Sequence, residues 1–247
     1  MVLEDTPKPG AAPTDDYMKI AQLRFAASQK VAGAADELKK VITARKMTPL
    51  YIAVCEQLGW KSDAALRSSM KADNATALEA LDAKIKESEE QEGETEIREA
   101  FLARAEHHIA IGEKDVAYAA IEETYKKTVA MGLRLDLVLS KLRVGLFFDD
   151  LTVVKKEIDR AKALLEQGGD WERRNRLKVY EAVFLLQIRD FKASAKLLLD
   201  SIATFTATEL LPYNTFIFYT VVAALVALPR KELKAKVIDA PEILQVI

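Results

Sequence analysis

Three stretches decide the fold: Gly112 to Lys127 (GEKDVAYAAIEETYKK), Asp149 to Leu164 (DDLTVVKKEIDRAKAL) and Arg189 to Thr204 (RDFKASAKLLLDSIAT). Laid over one another they align the triplets Ala117-Ile121-Thr124, Val154-Ile158-Ala161 and Ala195-Leu199-Ile202. Steps of four and three put the members of each triplet on one face of a helix. A short polar turn precedes each triplet: Gly112-Glu113-Lys114-Asp115, Asp149-Asp150 and Arg189-Asp190. Any amphipathic helix has steps of three and four, so the weight lies in the recurrence of turn and period. The triplets begin at residues 117, 154 and 195, which are 37 and 41 residues apart, inside the roughly 34 to 47 residue periods of helical-hairpin solenoids. At least three stacked helix-turn-helix units are predicted.

Upstream, Ile20, Leu23 and Phe25 open an apolar helix at Tyr17, and Val31, Leu38, Val41 and Ile42 mark a second one around Gly33. Pro49 stands where a helix begins, and Leu50, Val54 and Leu58 repeat at steps of four before Gly59 stops the run. Leu78, Leu81 and Ile85 belong to a longer helix that enters a solvated glutamate-rich stretch, Glu87 to Glu96, broken by Gly93. Downstream, the apolar run Phe216 to Leu228 is too short to span a bilayer and reads as a buried solenoid helix. Asp239-Ala240-Pro241-Glu242 has the pattern of an N-cap acid, a first-turn proline and a capping-box glutamate. Ile243, Leu244 and Ile247 then begin an apolar face that expects cover from a further domain and should fray without it. The expected organisation is a flexible acidic, proline-containing tail (1–16), N-terminal helices (17–95), repeats (96–205) and final solenoid helices (206–247).

Composition agrees with an all-α chain. Of 247 residues, 50% are hydrophobic, enough for a core, while 9 Gly and 7 Pro are too few for the turns of an all-β fold. The 36 basic and 38 acidic residues nearly cancel, which removes a global drive toward nucleic acid or an anionic membrane. A single cysteine, and a start (MVLEDTPKPG) without signal-peptide features, fit cytosol or nucleus.

The search for chemistry finds no site. His107 and His108 are adjacent, so on a helix they point about 100 degrees apart and do not chelate one ion. His108 shares a face with Ile97, Phe101 and Ala105 and reads as a packed histidine, with His107 at the edge of that stripe. Cys55, beside Val54 and Leu58, reads as a small apolar side chain. Gly168-Gly169 lacks the lysine and hydroxyl of a phosphate loop and reads as a helix stop before an N-cap Asp170. No cofactor, metal or small-molecule substrate is expected. The most basic segment supplies the one candidate contact patch: Arg173, Arg174, Arg176 and Lys178, an edge that suits an acidic peptide or RNA phosphate, or else a solvated face with internal ion pairs. Trp171 is expected to be buried, covering the turn after Gly168-Gly169.

Longer segments carry a family likeness. GGDWERRNRLKVYEAVFLLQIRD (168–190), Phe191-Lys192, LLLDSIATFTATEL (197–210) and LKAKVIDAPEILQVI (233–247) closely resemble the non-ATPase subunits of the 26S proteasome regulatory-particle lid that carry helical repeats before a PCI domain. Weaker likeness extends upstream through Ile20 to Phe25, the glutamate-rich helix and Glu96-Ile97-Arg98. The COP9 signalosome paralogue shares the architecture, but these segments look like the proteasomal member. The resemblance implies a right-handed superhelical solenoid of TPR-like hairpins leading into a PCI domain, which here stops before most of the winged helix. It also implies a non-catalytic scaffold whose partners are other lid subunits and the ATPase ring. A solenoid peptide receptor and an RNA-associated PCI protein are the alternatives from other classes.

Overall fold

The computed structural model of the protein describes residues 17–168 and 170–246, so the expected flexible tail (1–16), Gly169 and Ile247 lie outside the described residues. Among the described residues there are thirteen α-helices and no strand, the all-α class expected from the repeats. They form two compact units, residues 19–137 and residues 138–246 together with Tyr17 and Met18.

The first unit contains α1 (Tyr17–Ser28, from Lys19 onward), α2 (Ala34–Ala44), α3 (Thr48–Leu58), α4 (Ala64–Glu90), α5 (Glu94–Ile111), α6 (Lys114–Lys127) and the start of α7 (Met131–Phe147). Helix α3 begins with Pro49 in its first turn and ends at Gly59 in the left-handed conformation, as its sequence signals require. Asp63 caps α4 by accepting from the amides of Ala65 and Leu66 at 2.9 and 3.1 Å, and its own amide donates to the Tyr51 hydroxyl at 3.1 Å. Leu38, Ile42, Met47, Leu50, Tyr51 and Val54 form the buried apolar centre around α2 and α3. The buried Asn74 of α4 donates to the Lys46 carbonyl at 2.9 Å, which pins α4 to the α2–α3 turn. Helices α4, α5 and α6 pack in succession, with Ile85, Ala100 and Phe101 between the first two. Phe25 and Val31, expected on apolar faces, are exposed, and Val31 lies in the turn ahead of α2.

The second unit holds the rest of α7, then α8 (Leu151–Glu166), α9 (Trp171–Gln187), α10 (Phe191–Ser201), a 3-10 turn (Ile202–Thr204), α11 (Tyr213–Ala227), α12 (Arg230–Leu233), a π turn (Lys234–Ile238) and α13 (Pro241–Leu244). Helix α8 packs on α9, α9 on α10, and α10 on α11. A carboxylate ties α8 to α7: Glu157 is buried and accepts from Lys141 of α7 at 2.9 Å, with Arg160 at 3.3 Å on its other oxygen. Two charged partners are what makes a buried carboxylate tolerable.

One turn recurs at the expected hairpins. Gly112, Asp149 and Arg189 each have positive φ (78°, 59° and 65°). The following amides of Glu113, Asp150 and Asp190 donate back to the carbonyls of His108, Gly145 and Leu185 at 3.1, 2.9 and 2.9 Å. This is the Schellman closure of a helix end. In the second and third turns the next side chain also starts the following helix, because Asp150 accepts from the Val153 amide and Asp190 from the Ala193 amide.

Three expectations change. The first two triplets are buried as read, but the third face is Ala195-Leu198-Ser201; Leu199 is half-buried and Ile202 belongs to the 3-10 turn. Ser201 tolerates burial because its hydroxyl donates to the Leu197 carbonyl at 2.7 Å. Second, α11 buries only one side: Phe216, Ile217, Thr220, Ala223 and Ala224 are covered, whereas Phe218, Val222, Leu225 and Val226 are exposed. Third, Asp239 does not cap α13. Its amide closes the π turn on the Lys234 carbonyl at 3.0 Å, Ala240 takes the N-cap position, and Ile243 is buried while Leu244 is exposed. No helix among the described residues is long and apolar enough to cross a membrane.

The shifted register of α10 sets a prediction. Leu198→Ala, at a fully buried position, costs about 2–5 kcal/mol in urea unfolding, while Leu199→Ala costs less than about half of that. Equal losses, or a larger loss at Leu199, would restore the register read from the sequence.

Candidate functional site

Helix α9 is flanked by α8 and α10, which cover most of its circumference. Asn175, Leu177, Val179, Tyr180, Ala182, Val183 and Phe184 are buried in consequence. Trp171, Glu172 and Arg174 stay exposed, and half-buried Lys178 continues the line of Trp171 and Arg174 at spacing i, i+3 and i+7. Trp171 is 63% exposed, which overturns its expected burial. It occupies the first helical position, right after the cap, on the side facing away from the neighbouring helices. Asp170 caps the helix as expected, accepting from the Arg173 amide at 2.8 Å. That hydrogen bond holds the Asp170 carboxyl below the usual carboxylate range.

The four basic residues of the candidate patch divide. Arg173 forms an ion pair with Asp170 one turn away. Arg176 turns toward the segment before α11, where its Nε and Nη2 meet one oxygen of Glu209 at 2.9 and 2.7 Å. The Tyr180 hydroxyl donates to the same oxygen at 3.1 Å. Burial, with the Glu209 charge beside it, pushes the Tyr180 phenol far above its usual range. Arg176 is therefore a structural lock on the connector. Arg174 is exposed with no side-chain partner among the described residues, and Lys178 is half-buried beside it in the strip. Aromatic and arginine side chains on one open strip are the residue types that anchor protein contacts.

The other candidates are packed. Cys55 is buried in α3. His108 is buried, with Nδ1 2.8 Å from a Glu113 oxygen; burial and the adjacent His108 lower the pKa of half-buried His107. Among the described residues no group of three His, Cys, Asp or Glu side chains is placed to hold a metal ion. The sequence reading missed an open cleft of about 570 Å³ between α4, α5 and α6. In it the Phe101 ring lies under Arg104 and Lys127, at 5.1 and 5.4 Å from the centroid. Arg104 also pairs with Asp82 and Glu123, and Lys127 lies 3.8 Å from Glu89, so the two cations over the ring are held by the acids of the cleft. The spacing of Phe101 and Arg104 was the available signal, but the acidic partners on α4 and α6 are distant in sequence.

Stability separates the two roles on α9. Trp171→Ala changes the unfolding free energy by less than about 0.5 kcal/mol, as for other exposed sites. Arg176→Ala costs about 1.5–3 kcal/mol because it strips the charged partner from a largely buried Glu209. A large loss at Trp171 would place its ring in the core after all.

Comparison with known proteins places the sequence in a family. A family model describing the 26S proteasome subunit RPN7 matches residues 63–236, well over half of the chain. The Oryza sativa 26S proteasome non-ATPase regulatory subunit 6 is 51% identical over 187 residues, covering 76% of this chain and 48% of that protein. The Dictyostelium discoideum protein of the same name is 46% identical over 212 residues, covering 86% and 56%. The Saccharomyces cerevisiae 26S proteasome regulatory subunit RPN7 is 34% identical over 249 residues, covering 92% and 58%. The chain thus spans about half the length of the curated relatives it matches. Both the extent of the family match and the identity of these relatives lead to one conclusion: the chain belongs to the 26S proteasome subunit RPN7 family.

Proposed function

We propose that the chain is a non-catalytic structural subunit of the proteasome regulatory-particle lid, which supports ubiquitin-dependent protein degradation by holding other subunits in place. The observation that carries this reading is the family match over residues 63–236, together with relatives named as non-ATPase regulatory subunits of the 26S proteasome. Membership favours the proteasomal reading over a COP9-type paralogue, a peptide receptor or an RNA-associated protein. The partners are other lid subunits and the ATPase ring, the compartments are cytoplasm and nucleus, and the reading assigns no reaction, cofactor, metal or membrane contact. Within it, residues 17–95 are N-terminal helices, 96–205 the repeats that present contact surfaces, and 206–247 the final helices.

The strip on α9 is one such surface. Trp171 and Arg174 are open to a partner, Lys178 extends the strip, and Arg173 and Arg176 keep it in position through Asp170 and Glu209. Buried arginine and tryptophan anchors of protein interfaces typically contribute about 2 kcal/mol or more each, which is roughly thirty-fold in affinity.

The test is co-purification of the affinity-tagged chain from its native cells with quantitative mass spectrometry. Lid subunits are expected in the unmutated sample, and the Trp171→Ala/Arg174→Glu double variant recovers them at roughly one tenth of that level or less, with unchanged circular dichroism. Absence of lid subunits from the unmutated sample would overturn the functional reading. Equal recovery by the variant would remove α9 from the contact surface while leaving that reading intact.

A further inference from the structure

Inside the first unit the end of α5 is a junction. It packs on α3, α4 and α6, and a carbon added at Gly112 would meet the Met47 methyl at 3.2 Å and Leu50 Cβ at 3.7 Å. From α4 the buried side chain of Asn74 donates to the Lys46 carbonyl at 2.9 Å, so this residue holds the α2–α3 turn. The backbone carbonyl of the same Asn74 faces the imidazole of His107. His107 thus sits where α5 closes on α4 and, through Asn74, on the turn between α2 and α3.

Two imidazoles meet one carboxylate here. The rings of His107 and His108 are 6.3 Å apart, and Glu113 places an oxygen 2.8 Å from His108 Nδ1, so that carboxylate is already engaged. His107 Nε2 is buried and has no hydrogen-bond partner among the described residues. In the neutral ring the proton can stay on Nδ1 and leave Nε2 bare, whereas in the imidazolium both nitrogens carry one. A buried cationic N–H without an acceptor is costly, and charge on the neighbouring ring adds repulsion. The groups that act on the ring are His108 on α5, Glu113 in the turn ahead of α6 and the Asn74 carbonyl on α4; among the described residues no charged group of α3 or α6 does so. Burial and His108 oppose the proton while Glu113 and the carbonyl favour it, and the first pair prevails, holding His107 below its ordinary value.

We propose that His107 is an acid-sensitive clasp, whose neutral ring lets α5 close on α4 and the α2–α3 turn and whose protonation loosens that contact. The folded chain binds this proton more weakly than the unfolded chain does, so stability rises with pH across the titration. The stabilisation is present above the unfolded value of 6.5 and is lost as pH falls from there through the lower folded value. Loosening stays local to α5 and its neighbours, because the atoms that penalise the proton all belong to this junction.

Native-state hydrogen exchange at about pH 7.5 and about pH 5.5, corrected for the intrinsic exchange rate, tests it together with a proton NMR titration of the two imidazoles. Amides 103–111 of α5 are expected to lose protection about three-fold or more at the lower pH, while amides 177–184 of α9, in the other unit, lose less. In His107→Phe and His107→Gln, neither of which takes up a proton, the loss at α5 shrinks to that of α9. In the unmutated chain the His107 Cε1 proton signal, identified by its absence from the variants, titrates below 6.5. Titration of the unmutated ring at or above 6.5 overturns the proposal whether or not either variant folds. It is equally overturned by an α5 loss no larger than that of α9, or by one that persists undiminished in a folded variant.

Discussion

A single left-handed residue at the end of a helix is the constraint on which the repeats depend. At Gly112, Asp149 and Arg189 the chain takes positive φ, the next amide closes on the carbonyl five residues back, and a new helix starts at once. The same closure ends α1 at Lys30, where the Val31 amide donates to the Ala26 carbonyl, and α2 at Lys46, where Met47 donates to Ile42. Each closure satisfies carbonyls that a helix end otherwise leaves orphaned, and the connection has two or three residues at every one of these turns except the five-residue turn (29–33) after α1. Helices joined so tightly lie side by side as neighbours, and their apolar stripes are covered by one another. The packing of α5 on α6 and of α9 on α10 follows from that geometry.

Side chains then reinforce what the backbone sets up. Asp150, Asp170 and Asp190 start α8, α9 and α10 by accepting from the amide three residues on. Hydroxyls let polar residues enter the packed faces: Ser194 donates to the Ala182 carbonyl across the α9–α10 contact at 2.9 Å, and Thr124 bonds back to Ala120 within α6 at 2.8 Å. Glu157 and Glu209 are two carboxylates withdrawn from water in the second unit, and each is compensated by charged and hydrogen-bonding partners. What emerges is a set of hairpins with their apolar faces packed on one another and their polar edges open.

The period of the hairpins was legible because polar turn residues recur, and the Asp170 cap was legible because it follows a glycine stop, whereas Asp150 and Asp190 were read only as turn residues and Asp239 makes no cap. The left-handed residues were only partly so: Gly112 announces itself, whereas Asp149 and Arg189 take positive φ with no glycine to announce it. Leu197-Leu198-Leu199 offers three choices of face, and the packing of α10 between α9 and α11 selects Leu198. Trp171 misled because a large aromatic ring is usually buried, and a residue at the start of a helix escapes that rule. Of the basic patch, type and spacing gave the helix edge, but the engagement of Arg176 depends on Glu209, 33 residues away and unmarked by any local pattern. The family was readable from long family-like segments rather than from chemistry.

Urea unfolding of three turn variants tests the central constraint most directly. Asp149→Gly and Arg189→Gly each raise the unfolding free energy by about 0.5–1 kcal/mol, because glycine relieves the left-handed strain at exposed positions. Gly112→Ala lowers it by about 1 kcal/mol or more, since its φ is 78° and the added carbon meets the Met47 methyl at 3.2 Å. Destabilisation by both glycine variants, with no loss at Gly112→Ala, would contradict the account and move control of the hairpins from the turns to the helix faces.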